Sequence, residues 1–279
     1  MKYAKMKETA LDQYYTEYEK LGHTRVQEIL EAGKQWNLAP TLRSGGSAIF
    51  PHTFLSECGS QIAAVVHGCL DSGADQVLVL GVVHPLNEDQ MMLRMKEINQ
   101  ESLDDEPTRG VFETVDGEFS LYHFKKLFEI EVRNRGIKPL KLIERYPCLT
   151  NRRPENLPGI EELKAVAKDS IVIATSDLCH YGAAYGHQNA TYEETQAFAI
   201  RNINLGFSIL QTGDYVQYFN HCLASLSDSL DTCTVLSYLQ GTLSANILDF
   251  KLVDVSSLFI DDPKPSWVAA SLVEMQKQI

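Results

Sequence analysis

Three histidines occupy the same kind of position, directly after an apolar stretch that is typical of a buried β-strand. His52 follows "AIFP", His84 follows "VLVLGVV" and His180 follows "IVIATSDLC". The carboxyl ends of parallel strands lie together at one edge of an α/β sheet, where ligands bind. Imidazole is also the commonest metal ligand in proteins. The repeated pattern therefore predicts one shared site, although a single histidine in such a position is more often an ordinary loop residue.

A carboxylate accompanies the third histidine. Asp177 lies in the same predicted turn as His180, within "TSDLCHYG". A carboxylate in this position can orient the imidazole or serve as a second acid or base. The spacing thus predicts catalytic roles for Asp177 and His180, and a capping aspartate beside an exposed histidine is the alternative.

One cysteine is placed differently from the other five. Cys233 lies shortly after Asp231, which is predicted to cap the helix "DTCTVLSYLQGTLS". The free N–H groups and the dipole of a helix N-terminus favour thiolate over thiol, and a thiolate can bind a metal or act as a nucleophile. A buried, unreactive cysteine is the alternative, and it suits Cys69 and Cys222, inside predicted helices, better than Cys233.

Strands that alternate with helices must bring these residues together. The predicted strands are "AIF", "QVLVLGVV", "VFETV", "KPLKLIERY", the "IVIAT" run and "ILDFKLVDVSSLFI", with helical patterns between most of them. This order predicts a single three-layer α/β/α domain over residues 1–279, around a mostly parallel or mixed sheet. The proline-rich stretch "RYPCLTNRRPENLPG" is predicted to be a loop, and the polar stretch from Asn87 to Gly110 a surface excursion or pocket lid.

The composition narrows the classes of partner. The chain has 279 residues, a formal charge of -12 and no basic run, which argues against nucleic acid and anionic membranes. No apolar stretch approaches the ~20 residues that span a bilayer, and the first residues lack a secretory pattern, so the expected location is the cytoplasm. The six cysteines form no C-x-x-C pair, as expected of reduced thiols. No glycine-rich phosphate loop supports nucleotide binding.

The chain contains four motifs in the order "AIFPHTF", "VLVLGVVHP", "TSDLCHYG" and "DTCTVL". This combination resembles the motifs of the Memo-like proteins, which are relatives of the catalytic subunits of class III extradiol ring-cleavage dioxygenases. The resemblance covers most of the chain. It implies that His52, His84 and Cys233 bind iron or copper, and that Asp177 and His180 stand beside the metal as second-sphere or acid/base groups. The related dioxygenases bind iron through two histidines and a carboxylate, which leaves positions open for oxygen and substrate.

The chain departs from the family pattern at two places. Family members usually have P-H-A-G-Y after the first strand, whereas this chain has "PHTFL". The family's E-H-S-L-E segment corresponds to "EFSLY" from Glu118 to Tyr122, without the inner histidine and the second glutamate. The predicted ligands are kept while part of their surroundings is changed, so the family's reaction is expected to be altered or absent.

Three functional hypotheses follow. The first is a metal-dependent, dioxygenase-like oxidoreductase that acts on an unknown small molecule. The second is a non-catalytic protein that binds a peptide or small ligand in the same pocket. The third is a metal-free hydrolase in which Cys233 attacks, His180 is the base and Asp177 orients it. The third is disfavoured because it gives His52 and His84 no role. A homo-oligomer is compatible with each hypothesis.

Overall fold

The computed structural model describes residues 7, 9–84, 110–149, 153–261 and 263–277. The predicted excursion from Asn87 to Gly110 lies outside these residues, apart from Gly110 itself.

The described chain alternates strands and helices. The strands are β1 (Ser47–Phe50), β2 (Gln76–Leu80), β3 (Gly110–Phe112), β4 (Lys141–Cys148), β5 (Ile171–Thr175), β6 (His180–Gly182), β7 (Leu243–Asp254) and β8 (Ser266–Lys277). The α-helices are α1 (Ala10–Gly33), α2 (Ala39–Arg43), α3 (Leu55–Asp71), α4 (Tyr122–Arg135), α5 (Ile160–Lys168), α6 (Tyr192–Gln211), α7 (Tyr215–Ser225) and α8 (Ser229–Gln240). None of these helices is both long enough and apolar enough to cross a membrane.

The sheet has a parallel centre and antiparallel margins. Its strand order is β3-β4-β2-β5-β1-β8-β6, and β7 pairs with β8. Strands β4, β2, β5 and β1 are parallel to their neighbours in this group, whereas β8 is antiparallel to β1, β6 and β7. The short strands β1 and β5 are buried along their whole length, which explains why their sequences show no polar alternation.

Helices cover both faces of the sheet. Helices α1, α3 and α4 pack with Phe50, Val77 and Val79 in one apolar cluster. Helices α5 to α8 pack with Ile49 and Leu78 in another. Successive strand residues point to opposite faces, so each strand contributes to both clusters. The fold is therefore the predicted three-layer α/β/α arrangement around a mixed sheet.

The carboxyl-terminal strands differ from the prediction. The sequence predicts one strand over "ILDFKLVDVSSLFI", but β7 ends at Asp254 and Ser256–Leu258 form a 3-10 helix. Strand β8, which the sequence prediction lacks, lies between β1 and β7. Most of β8 is buried, so its sequence shows no polar alternation.

Helix α3 receives its N-terminal cap from another helix. No side chain at Phe54, the N-cap position, accepts a hydrogen bond from the first turn. Instead the Glu17 carboxylate in α1 accepts hydrogen bonds from the backbone N–H groups of Leu55 and Ser56, at 2.7 and 2.9 Å. A negative charge is favourable at this end of a helix. The contact fixes the start of α3 close after the loop that carries His52.

Candidate metal centre

Three strand ends converge where the candidate site lies. Strand β5 pairs with both β1 and β2 in parallel, so the carboxyl ends of all three strands are adjacent. His52 follows β1, His84 follows β2 and Asp177 follows β5. His180 has a different position, because it begins the short strand β6, which pairs with β8.

Two imidazoles direct their Nε2 atoms at each other. The Nδ1 atom of His52 lies 3.1 Å from the Thr175 hydroxyl. That hydroxyl donates to the Phe50 carbonyl at 2.9 Å, so it accepts from His52 Nδ1–H. His84 Nδ1–H donates to the Glu118 carboxylate at 3.0 Å. The two Nε2 atoms are 3.3 Å apart, and in the neutral imidazoles both carry lone pairs.

Asp228, at the N-cap of α8, supplies a carboxylate to the same point. Its Oδ1 atom accepts hydrogen bonds from the Ser176 hydroxyl and the Asp177 N–H, each at 2.7 Å. Its Oδ2 atom lies 3.3 Å from His52 Nε2 and 3.9 Å from His84 Nε2. Oδ2 is buried and makes no hydrogen bond. This buried oxygen faces two imidazole nitrogens, a position that suits a positive charge, either a proton on His52 Nε2 or a cation in its place.

The resulting donor set is two imidazoles and one carboxylate. Ligand atoms of His52, His84 and Asp228 all lie within 4.8 Å of one another. Two histidines and one carboxylate form the facial triad of non-haem iron oxygenases. His52 and His84, the two histidines predicted to be ligands, thus lie together, and the third potential donor near them is Asp228 and not Cys233.

Cys233 lies within α8, in the apolar cluster that α5 to α8 form with Ile49 and Leu78. It is fully buried, and the groups of potential metal ligands among the described residues do not include it. Helix α8 begins at Ser229, earlier than the predicted cap at Asp231, so Cys233 lies beyond the free N–H groups of the first turn. Burial raises the pKa of the Cys233 thiol, which disfavours the predicted thiolate. This environment supports neither a metal-ligand nor a nucleophile role.

Asp177 and His180 adjoin the donor set. Ligand atoms of Asp177, His180 and Asp228 form a second group within 4.8 Å of one another. The Nδ1–H of His180 donates to the Leu226 carbonyl, which orients the ring. Asp177 Oδ1 accepts from the backbone N–H of His52 at 3.3 Å, and its Oδ2 lies 3.7 Å from His52 Nε2.

The pKa values show how strongly these groups interact. Burial lowers the pKa of His52, but the charges of Asp177 and Asp228 outweigh burial and raise it to about 9. Burial raises the pKa of Asp228, yet the neighbouring imidazoles outweigh this effect and lower it to about 2. Burial, together with the charge of Asp228, raises the pKa of Asp177. A positive charge at this point is therefore stabilised by its surroundings.

The segment that departs from the family pattern still supports His84. Glu118 accepts hydrogen bonds from the backbone N–H groups of His84, Phe119 and Ser120, at 2.7, 2.8 and 2.7 Å. Burial raises the pKa of Glu118, but His84 and these N–H groups outweigh burial and lower it to about 2. Phe119, the next residue, stacks on the His84 ring, with centroids 4.7 Å apart. Glu118 thus orients the imidazole, and Phe119 packs against it.

The side chains at the site differ in their exposure to solvent. The His84 side chain is 23% exposed, whereas the His52 side chain is 3% exposed. His180 is half-buried. Of these three histidines, His52 is therefore the most enclosed.

Sequence reasoning assigned no role in the site to three residues. Thr175 and Glu118 orient the imidazoles, and Asp228 supplies the carboxylate. Thr175 carried a signal, since it is a polar residue at the end of an apolar strand. Asp228 lies in "SLSDSLD", where either aspartate can precede a helix, and only the fold shows which one faces the histidines.

The comparisons with known proteins do not extend this picture. No protein-family model matches the chain, and no curated protein matches it significantly. The resemblance to Memo-like proteins rests on the motifs given above.

Proposed function

We propose that this protein binds a non-haem iron ion through His52, His84 and Asp228 and acts as a dioxygenase-like redox enzyme on a small molecule. The observation that carries the proposal is the buried Oδ2 atom of Asp228, which makes no hydrogen bond and lies 3.3 and 3.9 Å from the two Nε2 atoms. The motif resemblance supports the same reaction class.

The donor atoms favour iron over copper. A cysteine ligand, as the resemblance implied, would suit a soft ion such as Cu(I). A carboxylate oxygen with two imidazole nitrogens suits Fe(II) and, in non-haem oxygenases, forms the facial triad. The replacement of Cys233 by Asp228 in the donor set therefore supports iron.

The neighbouring residues have separate tasks in this proposal. Thr175 and Glu118 hold the Nδ1–H groups of the two imidazoles, which leaves both Nε2 lone pairs for the ion. Bound iron would supply open coordination positions for oxygen and substrate. Asp177, which is buried, and His180, which is half-buried, lie beside Asp228, where either group can accept or donate a proton.

Elemental analysis of protein purified anaerobically, without a metal-affinity tag, tests the metal. We expect iron to be bound in wild-type protein and lost in the His52→Ala variant, with His23→Ala, an exposed histidine in α1, as the matched control. Oxygen consumption with a panel of catechols then tests the reaction. Metal-free wild-type protein that does not take up added Fe(II) would contradict the proposal.

A non-catalytic binding protein is the second candidate. It is favoured by Phe119, which places an apolar ring where the family pattern has a histidine. Iron uptake without oxygen consumption, for any substrate class tested, would support this candidate over the enzyme.

A further inference from the structure

We propose that Asp177, His180 and Asp228 bind a second divalent cation, so that the centre holds two ions that share the Asp228 carboxylate. The inference rests on the proposed first site at His52, His84 and Asp228. It gives Asp177 and His180 a ligand role in place of the acid/base role that the resemblance implies.

The geometry provides two donor groups that share one carboxylate. Ligand atoms of Asp177, His180 and Asp228 lie within 4.8 Å of one another, as do those of His52, His84 and Asp228. Asp228 belongs to both groups, and its Oδ2 atom makes no hydrogen bond. In known two-metal sites the ions are ~3.5 to 4 Å apart, a separation that one carboxylate can bridge.

Hydrogen bonds hold one nitrogen or oxygen atom of each side chain in the second group. His180 uses Nδ1 to donate to the Leu226 carbonyl, so its Nε2 atom remains for a ligand. Asp177 uses Oδ1 to accept from the His52 N–H, and Asp228 uses Oδ1 to accept from Ser176 and from the Asp177 N–H. Each of the three side chains therefore has one nitrogen or oxygen atom fixed by a hydrogen bond and a second such atom that can bind a cation.

The ligand types indicate which cations fit. Two carboxylates and one imidazole are mainly oxygen donors, which suit Mn²⁺, Fe²⁺ and Zn²⁺ better than soft ions. Mn²⁺ is the most informative probe because two exchange-coupled Mn²⁺ ions give a different paramagnetic resonance spectrum from one isolated ion.

The experiment titrates Mn²⁺ into chelator-treated, full-length protein and measures bound metal by equilibrium dialysis. We expect two ions per chain in the wild type and an exchange-coupled spectrum. The variants Asp177→Asn and His180→Ala should each bind one ion and lose the coupling, and His23→Ala should behave as the wild type. Circular dichroism confirms that each variant is folded, and the use of two variants keeps the test valid if one of them is not.

The outcomes separate this inference from the proposed function. One ion per wild-type chain, retained in Asp177→Asn and His180→Ala but lost in His52→Ala, would overturn the second site and leave the first. One ion that is lost in all three variants would also overturn it, because a single ion would then use both groups. No bound Mn²⁺ in the wild type would overturn this inference, and the iron analysis of anaerobically purified protein then decides the proposed function separately.

Discussion

The Nε2 atoms of His52 and His84 lie 3.3 Å apart, although the Nδ1–H group of each ring already has a separate acceptor. In the neutral imidazoles the two Nε2 atoms are both acceptors, so nothing holds them together without a proton or a cation between them. The buried Oδ2 atom of Asp228 lies beside both nitrogens. The site is thus preorganised for positive charge before any ion binds.

The first prediction tests whether the third metal ligand is Asp228 or Cys233. Asp228→Asn keeps an Oδ1 acceptor for Ser176 and Asp177 but removes the charge, so we expect metal affinity to fall by more than ~100-fold, the upper range for second-shell changes. Cys233→Ala should keep full metal occupancy and lose about 1 kcal/mol of stability, because it only shortens a buried apolar side chain. Metal analysis of both variants shows which residue is the third ligand. Metal loss in Cys233→Ala alone would assign that role to Cys233.

The two histidines could be predicted from sequence because the reason for their placement is local. An apolar strand that ends at a histidine places it at the edge of a parallel sheet, and β1 and β2 both flank β5. The position of Asp228 depends instead on how α8 packs in the fold after the chain has passed through α6 and α7. No local sequence pattern encodes that packing, and the helix-start signals alone favoured Asp231.

The strands of the sheet also differ in whether the local sequence predicts them. Strands β1, β2 and β5 are recognisable because each is a short apolar run followed by polar residues. Strand β8 is buried next to β1 although it is far from it in sequence. Its apolar run is compatible with a strand or a buried helix, and only tertiary pairing distinguishes the two.

The second prediction concerns the carboxylate behind His84. Glu118→Gln replaces one acceptor oxygen with an N–H₂ group that faces the N–H donors around it, so the imidazole loses its fixed orientation. We expect metal affinity to fall ~10 to 100-fold, as for other second-shell partners. Glu113→Gln is the matched control, because Glu113 is 73% exposed and pairs with Arg145. Calorimetric titration of both variants with Fe²⁺ or Mn²⁺ measures the difference, and equal affinities would contradict the orienting role.

The third prediction uses the cap that Glu17 provides for α3. Glu17→Gln removes the charged acceptor of the Leu55 and Ser56 N–H groups, so we expect a loss of ~1 to 2 kcal/mol at neutral pH. Glu19→Gln, on the exposed face of the same helix, should have little effect. Urea denaturation of the three proteins measures these differences.

The same contact has a defined pH dependence. Burial raises the pKa of Glu17, but the adjacent His123 imidazole and the hydrogen bonds from Ser56 and Leu55 outweigh burial and lower it. A lowered pKa in the folded state means that the stabilisation is present above the ordinary carboxyl pKa of ~4.3 and is lost as the pH falls through the lowered value. The stability difference between the wild type and Glu17→Gln should therefore shrink in acid, and a difference that grows as the pH falls would contradict the assignment.

The last prediction concerns Gly81, which ends the strand that leads to His84. A Cβ atom at Gly81 would lie 2.4 and 2.6 Å from Cε1 and Cδ1 of Tyr146, and 3.0 Å from Cγ of Leu121. Tyr146 cannot easily move, because it is 5% exposed and its hydroxyl donates to Glu144 at 3.1 Å. The chain after β2 must therefore shift, and with it His84. We expect Gly81→Ala to cost ~1 to 3 kcal/mol and to weaken metal binding as well.

Gly73, before the amino end of β2, provides the matched control for Gly81. It has φ of +82°, and a Cβ atom at this position would have no described neighbour within 4 Å, so Gly73→Ala introduces backbone strain of ~1 to 2 kcal/mol without a steric contact. Both variants should be less stable in urea denaturation, but only Gly81→Ala should bind metal more weakly than the wild type, because only the carboxyl end of β2 leads to the site. Equal metal affinity in the two variants would show that the close approach of Tyr146 to Gly81 does not position His84.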